Sequence, residues 1–353
     1  MKLAAIFRQL RSNLLILLWL PSIFSQSKSF SGNPVIGNKF LNANGLHVFR
    51  LRLAHRLASF RRNQLSSGLS KEDLQQYHAQ GFILKEDFLP AGLFEKLRQE
   101  VFSADWALRE MQQGNTITRR VFLDEKGIEK KAPALAKLMQ HHPTLKRLIR
   151  YVAATGGEPV FCIQAIITSG ANANDPQTTP HADTFHPNAK AWLFLQDVAD
   201  DDGPLCYVEG SHQLSAKRLA WEQQQSLSAA KHANRYHARG SFRASATDLI
   251  QMDLQPPKRF VVNKNTLVIA DTFGFHGRAI SDRPTMRIEI YASLRRNPFA
   301  PWTGFHFLSL PWFKHKTGSS YLGILEWLKK CKLGVQPWKK VTRGKIDRLS
   351  TPE

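Results

Sequence analysis

Hydrophobic and polar positions follow two alternating periods along the chain, and the switches between them mark the expected elements. Leu46, Phe49, Leu53, Leu57 and Phe60 recur at spacings of three and four, which predicts a helix over Leu46–Asn63 with one apolar face. Arg50, Arg52, Arg56, Arg61 and Arg62 fill much of the remainder. Such a helix either lies on a membrane surface or partner, or packs on the domain with solvated arginines. Ser70 and Asp73 form a capping box that starts a helix ending at a Gly81 C-cap. Phe82–Phe88 then reads as a strand, and Pro90 precedes a helix from Leu93 to Phe102.

Further along, Thr118–Leu123 reads as a strand. Its adjacent Arg119 and Arg120 point to opposite faces, so at most one of them serves a common pocket. Ala132–Ala154 reads as one helix carrying His141 and His142 at the surface, and Pro159–Thr168 is a strongly apolar strand. Gln164 is that strand's one long polar side chain, and its amide needs either a co-substrate carboxylate or a neighbouring backbone group as partner. Ala191–Val198, Arg259–Ala270 and the alternating Met286–Leu294 complete the strands. Asp200–Gly203 is a hairpin turn, and Ser215–Ala233 an inserted helix whose basic continuation to Arg243 is either a lid or a surface excursion.

Charge changes this picture at the two ends. The 353 residues carry a formal net charge of +21. Residues 1–71 contribute +11 with no acid at all, residues 295–353 contribute +9, and the stretch between them only +1. A nearly neutral body with basic tails argues against a nucleic-acid groove and for an anionic membrane surface touched by both ends. The C-terminal tail interleaves Trp302, Trp312, Trp327 and Trp338 with lysine clusters, as headgroup-seeking segments do, or else folds back to bury its aromatics. Three cysteines without CxxC spacing fit a reducing compartment.

Within Met1–Phe24 the uninterrupted apolar run, Leu14–Leu20, is too short to span a bilayer, and Arg8 and Arg11 interrupt the longer stretch. The favoured reading is a helix lying in the membrane interface. A spanning helix, a signal peptide and a core helix are the alternatives.

Candidate chemistry lies between His181 and Arg287. His181 and Asp183 form an H-x-D pair near the Ala191–Val198 strand, and His276 stands eleven residues before Arg287. Residues i and i+2 share a strand face, so His181 and Asp183 can address one ion, with His276 brought in by a neighbouring strand. Two imidazoles and a carboxylate are the donor set of non-haem Fe(II) oxygenases. Arg287 sits in an apolar strand, where a guanidinium requires an anion; a dicarboxylate co-substrate would supply it in a bidentate fork. His186 reads as a substrate-side or surface residue, and His212 as part of a structural turn.

LSKEDLQQYHAQGFILKEDFLP near the start of the body, HAD at 181–183, GPLCYVEGSH at 203–212, and His276 with Arg287 together resemble the phytanoyl-CoA dioxygenase family over about residues 70–297. The resemblance implies a double-stranded β-helix with His181, Asp183 and His276 as iron ligands and as the catalytic centre. It also implies that Arg287 clamps the distal carboxylate of 2-oxoglutarate, and that Gln164 and Trp192 line the co-substrate pocket. Arg278 departs from the family, which often has a small hydroxyl residue there.

These readings give an α+β chain: a double-stranded β-helix (jelly-roll) core with flanking helices and an N-terminal membrane-associated helical segment. Residues 1–63 form that segment, 64–297 the oxygenase domain and 298–353 a basic, aromatic tail. The expected activity is hydroxylation of a small or amphiphilic, lipid-like substrate, using O2, Fe(II) and 2-oxoglutarate with ascorbate in support. The expected place is the cytoplasmic side of the membrane, peripheral or monotopic, with a single span as the alternative. Because Fe(II) and 2-oxoglutarate are cytoplasmic supplies, a signal peptide fits less well. No nucleic-acid partner is expected. A zinc hydrolase on a β-barrel, or a catalytically silent membrane adaptor, are the competing readings.

Overall fold

Strand alternation sorts side chains onto two faces and thereby builds the architecture. The computed structural model describes residues 17–123, 125–170, 175–304, 310, 316–334 and 336–348. Its strands are β1 (Phe82–Lys85), β2 (Arg109–Gln113), β3 (Thr116–Phe122), β4 (Val160–Ser169), β5 (Ala189–Phe194), β6 (Leu205–Tyr207), β7 (Lys258–Arg259), β8 (Leu267–Asp271), β9 (His276–Arg278), β10 (Pro284–Leu294) and β11 (Lys339–Lys340). Eight of them form an antiparallel sheet in the order β1-β8-β5-β10-β4-β3-β2-β11, and three form a second sheet, β7-β6-β9.

One face of the large sheet carries Ile83, Val121, Ile163, Ala165, Ala191, Leu193, Leu267, Ile269, Ile288 and Ile290, all buried in the main core. Fully burying each of the larger aliphatic side chains stabilises the fold by about 1.5–3 kcal/mol. Helices cover that face: α2 (Lys71–Gln80), α3 (Ala91–Ser103), α4 (Pro133–His141) and α5 (Leu145–Ala153) supply Tyr77, Leu97, Leu135 and Leu148 to the same core. The other face carries Phe82, Trp192, Phe194, Val268 and Tyr291, which pack against Leu205, Tyr207 and Phe260 from the small sheet and its flank. The site lies between the two sheets.

Local signals behave as their chemistry requires. Ser70 accepts from the Asp73 amide, and α2 ends at Gly81 with φ +89°, in the left-handed region that glycine tolerates. The single helix expected over Ala132–Ala154 is two. Pro143 disfavours a helical residue before it, and His142 is extended at ψ 116°. The strand expected over Arg259–Ala270 is reduced to β7 and β8, with residues 260–266 outside both.

Helix α1 (Leu46–Leu65) reverses the expected face. Its buried residues are His47, Arg50, Leu51, Ala54, Ala58 and Arg61, whereas Phe49 and Phe60 are about half exposed, at 48% and 53%. Arg50, Arg61 and Arg62 turn inward because main-chain carbonyls await them there, while Arg52 and Arg56 stay exposed. Arg50 donates to Ile23 O at 2.8 Å and Ser27 O at 2.6 Å, with its guanidinium 4.1 Å from the Phe185 ring centroid. Arg61 donates to Ala154 O, Pro298 O and Ala300 O, and Arg62 to Tyr151 O and Val152 O. Two of these acceptors, Val152 O and Ala154 O, are carbonyls at or just past the end of α5 that receive no bond from its own turns, while Tyr151 O also accepts from the Ala154 amide. No helix among the described residues is long and apolar enough to cross a membrane, and residues 1–16 lie outside them.

The inserted segment is α6 (Ala216–Ser228), which docks on α1: Arg218 pairs with Glu222 at 2.9 Å, and Glu222 meets His47 at 2.8 Å, all three side chains buried. The C-terminal tail is divided. Trp338 and Ile346 are buried, and β11 adds an edge to β2, whereas Trp302 and Trp327 are exposed. Trp312 lies outside the described residues.

Candidate active site

The two histidines are brought together by the backbone. His181 and His276 exchange both main-chain hydrogen bonds, at 2.9 and 3.0 Å, and their rings lie 4.6 Å apart. Asp183 follows with its amide on Thr272 O, which anchors the turn that carries it. His181, Asp183 and His276 each offer a donor atom, and these atoms all lie within 4.8 Å of one another.

Both imidazoles are fixed in the tautomer a metal needs. His181 Nδ1 bonds to Thr179 O at 2.9 Å and His276 Nδ1 to Gly274 O at 3.0 Å, so each Nε2 is left as a lone pair. His276 Nε2 is buried without a hydrogen-bond partner, which is the expected state of a ligand awaiting its ion. Burial lowers the pKa of His276 to about 4, opposing the pull of Asp183, and burial with the neighbouring His276 holds that of His181 well below its ordinary value. Both therefore stay neutral at physiological pH. Burial pushes the Asp183 carboxyl up, but Lys190, 2.6 Å away, and the two imidazoles outweigh it and hold the group well below its ordinary range. Two neutral nitrogens and one carboxylate thus fit a divalent ion.

The segment leading into His276 permits no side chain at Gly274. A Cβ there would fall 1.9 Å from the Tyr207 hydroxyl, which donates to Asp271 O at 2.8 Å. That close approach holds the turn from Asp271 to His276 against the small sheet.

Gln164, Trp192 and Arg287 line the same cavity as the three metal-site residues, a space of about 220 Å³. On β10, Arg287, Glu289 and Tyr291 share the inward face. Glu289 is fully buried and organises two of the expected residues: Arg287 Nε donates to Oε2 at 2.9 Å, and Gln164 Nε2 donates to Oε1 at 2.7 Å. Gln164 Oε1 in turn accepts from Arg120 Nε at 2.7 Å, so its amide is satisfied by side chains and not by the backbone. Arg120 faces the cavity, while Arg119 points away to Glu110 and the Ile346 carbonyl. Arg278 also lines the cavity, with Nε 3.4 Å from Asp175 and Nη1 buried without a partner. His186 is buried, with Nδ1 on Pro187 O, and stands apart from the metal group; His212 packs beneath Gly81 and Tyr77.

Residues 77–246, which contain His181, Asp183, Gln164 and Trp192, match the phytanoyl-CoA dioxygenase family model. The chain is phytanoyl-CoA dioxygenase-like. His276 and Arg287 lie beyond the matched stretch. Among solved structures, this phytanoyl-CoA dioxygenase-like chain is distantly similar to the epimerase SnoN in complex with Fe3+, alpha-ketoglutarate and nogalamycin RO. That match has 17% identity, covers 68% of this chain and 90% of that one, and has a TM-score of 0.43. The carbocyclase SnoK from nogalamycin biosynthesis matches at 18% identity, 65% and 84% coverage and 0.40. HygX from Streptomyces hygroscopicus with nickel and 2-oxoglutarate bound matches at 17% identity, 64% and 87% coverage and 0.40. No curated protein matches the chain.

The sequence pattern left Glu289 and Lys190 unmarked; of Arg119 and Arg120 it allowed one in a common pocket, and that one is Arg120. Glu289 carried a usable signal, since an acid two residues after Arg287 in an apolar strand must share its face. Lys190 carried a weaker one, two residues before Trp192 on the inward face of β5.

Proposed function

We propose that the chain is an Fe(II)- and 2-oxoglutarate-dependent dioxygenase that hydroxylates a small or amphiphilic substrate within a double-stranded β-helix. The observation that carries this reading is the convergence of His181, Asp183 and His276 on one cavity with Arg287 and Gln164. When bound there, Fe(II) and 2-oxoglutarate supply O2-driven oxidative decarboxylation of the keto acid, coupled to oxidation of a C–H bond. The chain's own residues do the rest. His181 Nε2, His276 Nε2 and the Asp183 carboxylate would hold the iron. Thr179 O and Gly274 O keep both rings in the donor tautomer. Arg287, steadied by Glu289 and by Gly203 O at 2.8 Å, presents its guanidinium to the distal carboxylate. The unpartnered Arg278 Nη1 offers that end a second cation. A carboxylate at 183 favours hydroxylation over halogenation, which needs that coordination position for chloride.

Arg287→Ala is expected to weaken 2-oxoglutarate binding to the Mn(II)-loaded protein by about 10- to 100-fold, the equivalent of one to two charge-assisted hydrogen bonds. Calorimetric titration measures this, and unchanged affinity would remove Arg287 from the co-substrate site.

The same proposal places the enzyme at the cytoplasmic membrane surface. Its support is an exposed apolar group, Leu17, Leu18, Trp19, Leu20 and Phe24, with Phe24 edge-on to Phe49 of α1 at 6.4 Å, next to the acid-free first seventy residues. Full-length protein should co-sediment with phosphatidylglycerol vesicles and lose most of that recovery on Trp19→Ser with Phe49→Ser. Equal recovery of wild type and variant would remove these residues from membrane binding.

A further inference from the structure

We propose that a second cavity on the other side of Asp183 is the substrate site, and that it selects an organic anion, a phosphate monoester or carboxylate on a short apolar body. The proposal rests on the oxygenase reading for the identity of the metal site, while its own evidence is separate. The cavity has a volume of about 380 Å³, within the range of small-ligand sites. It shares Asp183, Lys190, Arg120 and Tyr291 with the co-substrate cavity, so a ligand here lies against the metal group.

Its lining brings together Lys28, Arg120, Lys190 and Arg295 against one carboxylate, Asp183. That carboxylate is already engaged, by Lys190 at 2.6 Å and by the metal group to which it belongs. The other three cations meet neutral acceptors: Lys28 Nζ donates to the Asp183 backbone carbonyl, Arg295 Nη2 to Gln26 O at 3.3 Å, and Arg120 Nε to the Gln164 amide. Cations gathered around a recess repel one another, and the arrangement is costly unless an anion joins them. A divalent ion on Asp183 would draw its charge away from Lys190 and leave that ammonium for the ligand as well.

Apart from Asn188 and Ser293, the rest of the wall is apolar or aromatic. Phe122, Val160 and Tyr321, the last from α7 (Thr317–Lys330), face the cavity and suit a hydrocarbon portion. Lys28, Arg295 and Tyr321 all lie outside the stretch that matches the family model. Lys28 is held over the site because Phe30 and Ile36, just after it, are buried among Ala182, Phe242 and Phe275. The N-terminal segment is therefore part of the substrate site, and its positive charge has a local use.

The test is calorimetric titration of the full chain, loaded with Mn(II) and saturating 2-oxoglutarate, with inorganic phosphate, octyl phosphate, octanoate and octanol. Octyl phosphate or octanoate should bind saturably at one site, and Arg295→Gln and Lys28→Met should each weaken that binding about tenfold or more. Octanol should not bind. Saturable, variant-sensitive binding of inorganic phosphate alone would support the site with a free polar anion as its ligand. Octanol binding as tightly as octyl phosphate, anion binding unaffected by both variants, no anion binding, or displacement of 2-oxoglutarate by the anions would overturn the proposal. Repeating the series without metal and 2-oxoglutarate separates the two readings. If 2-oxoglutarate fails to bind while anions bind as described, the oxygenase reading falls and the anion site stands. If 2-oxoglutarate binds and the anions do not, the reverse holds.

Discussion

His276→Ala is expected to abolish stoichiometric binding of divalent metal and, with it, all turnover of 2-oxoglutarate. The side chain contributes one of three donors, and its Nε2 is buried without a hydrogen-bond partner, 3.6 Å from the Asp183 carboxylate. Loss of an outer hydrogen bond to a metal ligand typically costs about 10- to 100-fold in affinity, so loss of the donor itself should exceed that range. The remaining His181 and Asp183 lie on one short segment and cannot enclose an ion by themselves. Metal content after dialysis, with a thermal melt to verify folding, gives the answer. A folded His276→Ala protein that retains one tightly bound ion would remove this residue from the metal centre.

Glu222→Ala is expected to cost about 3–5 kcal/mol of stability, the range seen when one partner of a buried ion pair is removed. Arg218, 1% exposed, would be left with its charge uncompensated between the Phe273 and Phe275 rings, and His47 of α1 would lose its acceptor. Because Glu222 ties α6 to α1, the loss would be felt by the N-terminal helix as well as the insertion. Midpoints of urea unfolding measure it. Lys217→Ala, which breaks the exposed Lys217–Asp253 pair one turn earlier, should change little. Equal effects of the two variants would mean that the Arg218–Glu222–His47 group is not a structural tie.

What the sequence made legible were features governed by local geometry. The Ser70 cap, the Gly81 stop and the alternation along β4, β5 and β10 need only neighbours within a few residues, whereas the meeting of Gln164, Trp192 and Arg287 in one pocket was implied by the family resemblance. The residues that escaped have distant partners. Arg50 and Arg61 read as solvated because the carbonyls they bind belong to residues 22–27, 154 and 298–300. With those acceptors invisible, the stripe through Phe49 and Phe60 reads as the apolar contact face of α1, for a membrane, a partner or the domain, whereas both rings are about half exposed. For Trp338 the pattern leaves burial by a folded-back tail as one of two readings and cannot choose between them, since that burial, like that of Ile346, depends on β11 finding the edge of β2 across more than two hundred residues. Lys28 gave no signal, because only the packing of Phe30 and Ile36 brings it to Asp183.

We propose that His181, Asp183, His276 and Arg287 together make this chain an Fe(II)/2-oxoglutarate oxygenase. The most direct measurement is succinate formation from 2-oxoglutarate by anaerobically purified full-length protein given Fe(II), ascorbate and an octyl phosphate or octanoate probe, before and after admission of air. Succinate is expected only when Fe(II) and O2 are both present, and is expected to be lost in His276→Ala. Metal-loaded protein that neither binds 2-oxoglutarate nor forms succinate in air would contradict the proposal.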